Sequence, residues 1–274
     1  MSSSVVMPIA VITGGSAGIG FELACRACEN GYRPLLIARH PDALSSAADQ
    51  LRTRYRIDPL LWSADLADAQ ERQQLIERLQ TIATDIEMAV LCAGIGFGGA
   101  LHENTWEAEH QVLQVNLVGL VQLSQIFCQW FAQAQRGTLL NVASLAGFQP
   151  GPYFANYYAS KAYVLHFTEA LALEMRPHGV QVSVLCPGTT GTGFHQKAGI
   201  DKTELARGLF GIVMTPEAVS RIALRELSRK RVVIVPGLLN QLAAWSVRWV
   251  PRSWVRAITG WMNAQPALAA VKNG

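Results

Sequence analysis

The sequence predicts an α/β protein built on a doubly wound, seven-stranded parallel sheet in one domain, extended at its C-terminal end by amphipathic helices. Three observations carry this reading. Short apolar, β-branched runs recur along the chain, segments of helical periodicity separate them, and the first run passes straight into a glycine-rich turn. In order, the strand-like runs are Ile9 to Thr13, Pro34 to Ala38, Pro59 to Trp62, Met88 to Leu91, Thr138 to Val142, Gln181 to Leu185 and Val232 to Val235. Between them, Ala69 to Ile82 sets Leu75, Ile76 and Leu79 on one helical face, and Thr105 to about Gln133 reads as one extended helix. Thr215 caps a further helix whose first residue is Pro216, where a missing N–H costs nothing. No repeat or low-complexity linker breaks the pattern over residues 1–237; residues 188–214 and the tail, 238–274, stand outside it.

A chain of 274 residues that is half hydrophobic can bury a sizeable core as one domain. A net charge of +3 gives no reason to expect a nucleic-acid partner, but its distribution is uneven, with seven basic residues and no acidic one beyond Glu226. Five cysteines scattered through apolar segments fit reduced thiols in the cytoplasm better than a disulfide framework. Cys25 and Cys28 have the CxxC spacing without a second ligand pair, so core packing is favoured over zinc, which needs four ligands, and no metal site is expected. The N-terminus lacks a charged n-region before its first strand and does not read as a signal peptide. No uninterrupted apolar stretch reaches the roughly 20 residues of a membrane-spanning helix, so a soluble or peripheral protein is expected.

Two patterns carry chemistry. The first strand runs into TGGSAGIG, Thr13 to Gly20, and then into an apolar-periodic helix, which is where a dinucleotide-binding turn belongs. Gly14 frees the turn, Gly18 admits a pyrophosphate close to the backbone, Gly20 lets the helix approach the sheet, and the helix N-terminus offers N–H groups to phosphates. Taken alone, such a turn could also be a tight connection without a ligand. After the second strand, where dinucleotide folds choose between a ribose hydroxyl and a 2′-phosphate, the chain has Ala38 and Arg39 and no acid, which favours NADP(H); an ordinary solvated arginine is the alternative. Further on, YYASK places Tyr157 and Lys161 one helical turn apart. An ammonium beside a phenol favours the phenolate, which would bring the tyrosine towards a useful proton affinity near neutrality. Tyr158 also lies within a turn of Lys161, and helix geometry does not choose between the two tyrosines.

Glycines at 14, 18 and 20 follow TGxxxGxG, and with YxxxK, Ser144 in NVASLAG, Asn116 in VNLVG and the CPGTTGT segment at 186–192 the sequence resembles the short-chain dehydrogenase/reductase family over about residues 8 to 236. The resemblance implies a Rossmann-like fold and an oxidoreductase that interconverts a ketone or aldehyde and an alcohol. It selects Tyr157 for proton transfer with Lys161, gives Ser144 the substrate oxygen, and gives Asn116 a water connected to the lysine. It assigns cofactor contacts to Thr13, Gly14, Ser16, Gly18, Ile19 and Gly20, and to Arg39, Asp65, Ala93, Gly94, Asn116, Tyr157, Lys161, Pro187, Gly188, Thr190 and Thr192. Asp65 would meet the adenine amino group; it could equally cap the helix that follows. The loop LCAG, Leu91 to Gly94, departs from the family's usual NNAG at Leu91 and Cys92. Relatives are commonly homodimers or homotetramers.

Residues 188–214 match the family's variable substrate lid. Phe194, Leu209, Phe210, Ile212, Val213 and Met214, with Phe148 and Phe154, either line an apolar pocket for an apolar carbonyl or alcohol substrate or pack the lid onto the body. In the tail, Leu242, Trp245 and Trp249, then Trp254, Ile258 and Trp261, recur at helical intervals on either side of Pro251, accompanied by Arg248, Arg252 and Arg256. Such helices suit peripheral contact with an anionic membrane; packing over the cleft or between subunits is the alternative. Two other functions stay open: a dinucleotide-sensing binding protein that recruits a membrane or partner, and an isomerase or dehydratase that retains its cofactor.

Overall fold

A computed structural model describes residues 7–208 and 212–264. Seven strands, β1 (Ile9–Thr13), β2 (Arg33–Ala38), β3 (Leu60–Ser63), β4 (Ile86–Leu91), β5 (Thr138–Val142), β6 (Gln181–Leu185) and β7 (Val233–Ile234), form one sheet in the order β3-β2-β1-β4-β5-β6-β7. Every pairing is parallel. The chain winds outward from β1 in one direction and from β4 in the other, so the order reverses between these strands. At that reversal the following loops diverge, leaving a crevice at the strand ends.

The helices cover both faces: α1 (Gly18–Glu29), α2 (Pro41–Tyr55), α3 (Ala69–Gln80), α4 (Trp106–Leu113), α5 (Leu120–Ala134), α6 (Ala155–Met175), the single turn α7 (Phe194–Lys197) and α8 (Pro216–Ser228). Alternation along the strands divides the core. Val11, Leu35, Ile37 and Ala89 pack with α3, α5 and α6, whereas Ala10, Ile12, Leu36 and Val90 pack with α1, α2 and α8. Strands buried on both faces read as continuous apolar runs for this reason. Cys25 and Cys28 lie in the second of these layers, and the described residues hold no cluster of His, Cys, Asp and Glu able to ligate a metal.

Local chemistry sets the helix ends. Asp68 caps α3 by accepting from the Gln70 and Glu71 N–H groups, and Thr215 caps α8 by accepting from Ala218. The long helix expected from Thr105 is continuous over Trp106–Ala134, but residues Gln114–Gly119 form a π-helical turn between α4 and α5. Its length and composition would allow it to cross a membrane; here Leu123, Phe127 and Phe131 on one face are buried against the sheet. The tail forms α9 (Leu238–Ser246) and α10 (Arg252–Asn263), with the break at Pro251. Leu209 and Phe210 of the lid lie outside the described residues.

Candidate active site

The crevice at the sheet's reversal is a cleft of about 500 Å³. The turn after β1 forms one end. Gly14 and Gly18 adopt φ +67° and +57°, conformations that side chains disfavour, and a Cβ on Gly20 would run into the Gly14 carbonyl. Bare backbone therefore lines this end beside Ser16 and Ile19, at the N-terminus of α1. Its N–H groups and lack of side-chain bulk fit a pyrophosphate. Arg39 and Asp65 line the same end. Arg39 is exposed and, among the described residues, joins no ion pair, leaving its guanidinium available to a phosphate. Asp65 does not cap α3, because Asp68 does; its carboxylate instead accepts from the Ala67 N–H at 2.9 Å.

Ser144, Tyr157 and Lys161 line the other end. Ser144 follows β5 and is held by a bond from Ala146 N–H to its hydroxyl oxygen at 3.1 Å and by the neighbouring bond from Leu145 N–H to the Pro187 carbonyl at 2.8 Å. Tyr157 and Lys161 project from α6, with the Lys161 ammonium 5.7 Å from the Tyr157 ring centre. The Ser144 hydroxyl is near enough to Tyr157 to favour its ionised form. Lys161 is almost fully buried and donates to the Val142 carbonyl at 3.0 Å. Burial lowers its pKa to about 8. The same effect corrects the expectation for Tyr157: burial pushes the phenol up, and the nearby Ser144 hydroxyl offsets only part of that rise. Tyr158 is committed elsewhere. Its hydroxyl is buried and donates to Asn263 Oδ1 at 3.1 Å.

Two residues assigned to the site do not line the cleft. Thr13 is buried, and its hydroxyl accepts from the Cys92 and Ala93 N–H groups, both at 3.1 Å, holding the LCAG loop beside the glycine turn. This bridge spans the place where the family's asparagines are missing. Asn116, in the π-helical turn, clamps the next residue of that loop by accepting from Ile95 N–H and donating to its carbonyl, each at 2.9 Å, and it also donates to Ser160 Oγ. Ala93 and Gly94 thereby reach the cleft with the lysine close behind; a Cβ on Gly94 would lie 3.2 Å from Lys161 Nζ. Pro187, Gly188, Thr190 and Thr192 form the wall after β6. Thr190 Oγ1 donates to the Gly188 carbonyl at 3.0 Å, and the Thr192 methyl sits where a Cβ on Gly18 would approach within 3.0 Å.

On the substrate side, the Tyr157 ring stacks on Phe154 at 4.5 Å and tilts against Phe194 at 5.3 Å. Phe148 is not part of this group; it packs against the core. Ile212 and Val213 are exposed, and Met214 packs on the layer around α1 and α8. The tail packs over the cleft, the alternative that the sequence left open, but sequence reasoning did not name the residues that form this roof. Asn240, Ala243, Val247 and Val250 of the tail line the cleft, as do Val255, Thr259 and Met262. Their helical spacing is present in the sequence, but the heavier Trp-bearing stripe overshadows it.

A family model described as short chain dehydrogenase matches residues 8–203, more than half of the chain. A 7beta-hydroxysteroid dehydrogenase of Mediterraneibacter gnavus is 25% identical over 90% of this chain and 93% of its own length. A very-long-chain 3-oxoacyl-CoA reductase of Podospora anserina is 29% identical over 63% of this chain, and the match spans only about half, 52%, of that relative. Among solved structures, a short-chain dehydrogenase from Sphingobium yanoikuyae in complex with NADPH superposes with a TM-score of 0.80 at 28% identity, covering 89% of this chain and 93% of its own. With the cleft, the sheet order and these likenesses in agreement, the chain belongs to the short-chain dehydrogenase/reductase family of oxidoreductases, which work with a nicotinamide dinucleotide.

Proposed function

We propose that this protein is an NADP(H)-dependent reductase that interconverts an apolar ketone or aldehyde and its alcohol. The observation that carries the proposal is a single cleft with Ser144, Tyr157 and Lys161 at one end and, at the other, the glycine turn with Arg39, which joins no ion pair among the described residues. When bound, the nicotinamide supplies or accepts the hydride. Ser144 donates a hydrogen bond to the oxygen on which negative charge develops, and Tyr157 passes a proton from its hydroxyl to that oxygen. The Lys161 ammonium, with one of its three N–H groups spent on Val142, has donors left for the cofactor and a charge that favours proton release from Tyr157.

NADP(H) is favoured over NAD(H) because Arg39 can form charge-assisted bonds to a 2′-phosphate and the end of β2, at Ala38 and Arg39, carries no carboxylate to accept from a ribose hydroxyl. Asp65 faces the adenosine end, and Pro187, Gly188, Thr190 and Thr192 face the nicotinamide end. The apolar substrate is supported by Phe154, Phe194 and Ile200, by the tail's Val250 and Met262, and by relatives named for very-long-chain oxoacyl and steroid substrates. Assembly as a homodimer or homotetramer has support in Trp106, Val118 and Tyr163, which are exposed apolar side chains on the long helix and α6. A cytoplasmic setting agrees with five free cysteines.

Cofactor oxidation, followed by absorbance with a panel of ketones, tests the reading. We expect NADPH to outperform NADH, and long-chain or polycyclic ketones to outperform small polar ones. Tyr157→Phe should lower kcat by about 10²- to 10⁴-fold with NADPH affinity retained. Turnover of the Phe variant near that of the parent removes Tyr157 from the mechanism, and cofactor retained without net oxidation on any ketone points to an isomerase, a dehydratase or a binding protein.

A further inference from the structure

The tail has two apolar faces, and the structure turns the weaker one inward. Val247, Val250, Val255 and Met262 roof the cleft, whereas Leu242, Trp245, Trp249, Trp254 and Trp261 point away from the body and are each about 60% exposed or more. Four of the chain's seven tryptophans are thus presented to solvent on two successive helices, far more apolar surface than scattered exposed side chains account for. Arg248, Arg252 and Arg256 are exposed among them, and none joins an ion pair among the described residues. No acidic residue follows Glu226 to neutralise them.

The face is also held in place. Thr259 Oγ1 donates to the Pro150 carbonyl at 2.8 Å, Asn263 Nδ2 donates to the Pro152 carbonyl at 2.9 Å, and Tyr158 donates to Asn263 Oδ1. These three bonds, made by buried side chains, fix α10 to the segment that leads into α6. Trp254 and Trp261 therefore cannot turn inward without breaking them.

We propose that the outer face of α9 and α10 docks onto the surface of an anionic lipid bilayer, so that the roof of the catalytic cleft rests against the membrane. Indole rings sit favourably at the level of lipid headgroups, and each basic residue near an anionic surface adds to the attraction. Charge decides between this partner and a second copy of the chain. A two-fold contact through this face would set arginines against arginines with no carboxylate from either copy, whereas anionic headgroups supply the missing charge. The inference goes beyond the reductase reading and does not depend on it.

Co-sedimentation of the full chain with phosphatidylcholine vesicles, with and without phosphatidylglycerol, tests the proposal, with sedimentation velocity run in parallel. We expect pelleting only with the phosphatidylglycerol vesicles, and its loss at high salt. The triple variant Arg248→Glu, Arg252→Glu, Arg256→Glu should lower partitioning on the order of a hundredfold, and Trp249→Ser with Trp254→Ser at least about tenfold. None of these five side chains lines the cleft, so NADPH affinity and thermal midpoint should stay at parental values. Equal pelleting with both vesicle types, or pelleting unaffected by the variants, overturns the proposal. So does an absence of pelleting combined with a concentration-dependent dimer that the tryptophan variant dissociates, which would assign the face to a second copy.

Discussion

Burial governs the charged chemistry of individual residues in this cleft. Lys161 has its ordinary neighbours of sequence, yet only 4% of it is exposed, and its pKa falls from 10.5 to about 8 because the ammonium has lost its water. The sign of the resulting stability effect follows from linkage. Below about pH 8 the folded and unfolded chains both hold the proton, and the cost of burying the charge is fully present. Between about 8 and 10.5 the unfolded chain holds more of it, so this lysine's contribution to stability improves as pH rises. Lys161→Met should therefore gain stability over the parent near neutrality, with the advantage shrinking towards pH 10, as read from urea midpoints across that range. A difference that does not change with pH would show that the lysine keeps its ordinary proton affinity in the fold. Tyr157 shows the opposite sense of the same effect, since burial raises a phenol. In the proposed reaction, the Lys161 ammonium has to act against that rise.

At the scale of elements, the turn between β1 and α1 has no slack. The Gly20 Cα faces the Gly14 carbonyl so closely that even a methyl group has no room, although both residues belong to the same short turn. Gly20→Ala must push the start of α1 away from the strand and spoil the row of N–H groups aimed into the cleft. We expect at least about a tenfold loss of NADPH affinity and destabilisation of roughly 1–3 kcal/mol, measured by fluorescence titration and urea unfolding. Unchanged affinity would mean that the cofactor's phosphates do not use this helix end. The π-helical turn at Gln114–Gly119 is the second element where function and geometry meet. It interrupts a helix whose sequence reads as uniform, and Asn116 within it reaches across to bind both the N–H and the carbonyl of Ile95.

For the whole molecule, the tail closes the cleft that the sheet opens. Its attachment depends on Asn263, which satisfies the buried Tyr158 hydroxyl and the Pro152 carbonyl at once. Removing that side chain in Asn263→Ala strands a buried hydroxyl, at a cost of about 1–3 kcal/mol, and loosens the roof next to Tyr157. A lower thermal midpoint and a raised KM for apolar ketones are expected, with NADPH affinity unchanged because the glycine turn lies at the opposite end. If KM and midpoint both matched the parent, the tail's attachment would have to lie in other contacts.

Much of this architecture was legible in the sequence because it depends on near neighbours. Strands buried on both faces must be apolar throughout, and a tight turn from strand to helix needs glycine at 14, 18 and 20. Tyr157 and Lys161 share a helix face by their spacing alone, as did Thr215 and Pro216 in marking the start of α8. What the sequence left open depends on contacts between distant segments. Tyr157 and Tyr158 are equivalent one turn from Lys161 until Asn263, more than 100 residues away, takes the hydroxyl of Tyr158. Thr13 and Asn116 look like cleft residues until their partners, Cys92, Ala93 and Ile95, are seen to draw them behind it. Amphipathicity marked the tail as two helices with an apolar face, and left open whether they meet a membrane, the cleft or another subunit. The direction was set by which stripe could fit over a cleft already lined by Phe154 and Phe194, and the slim Val and Met side chains fit there while four indoles stay outside.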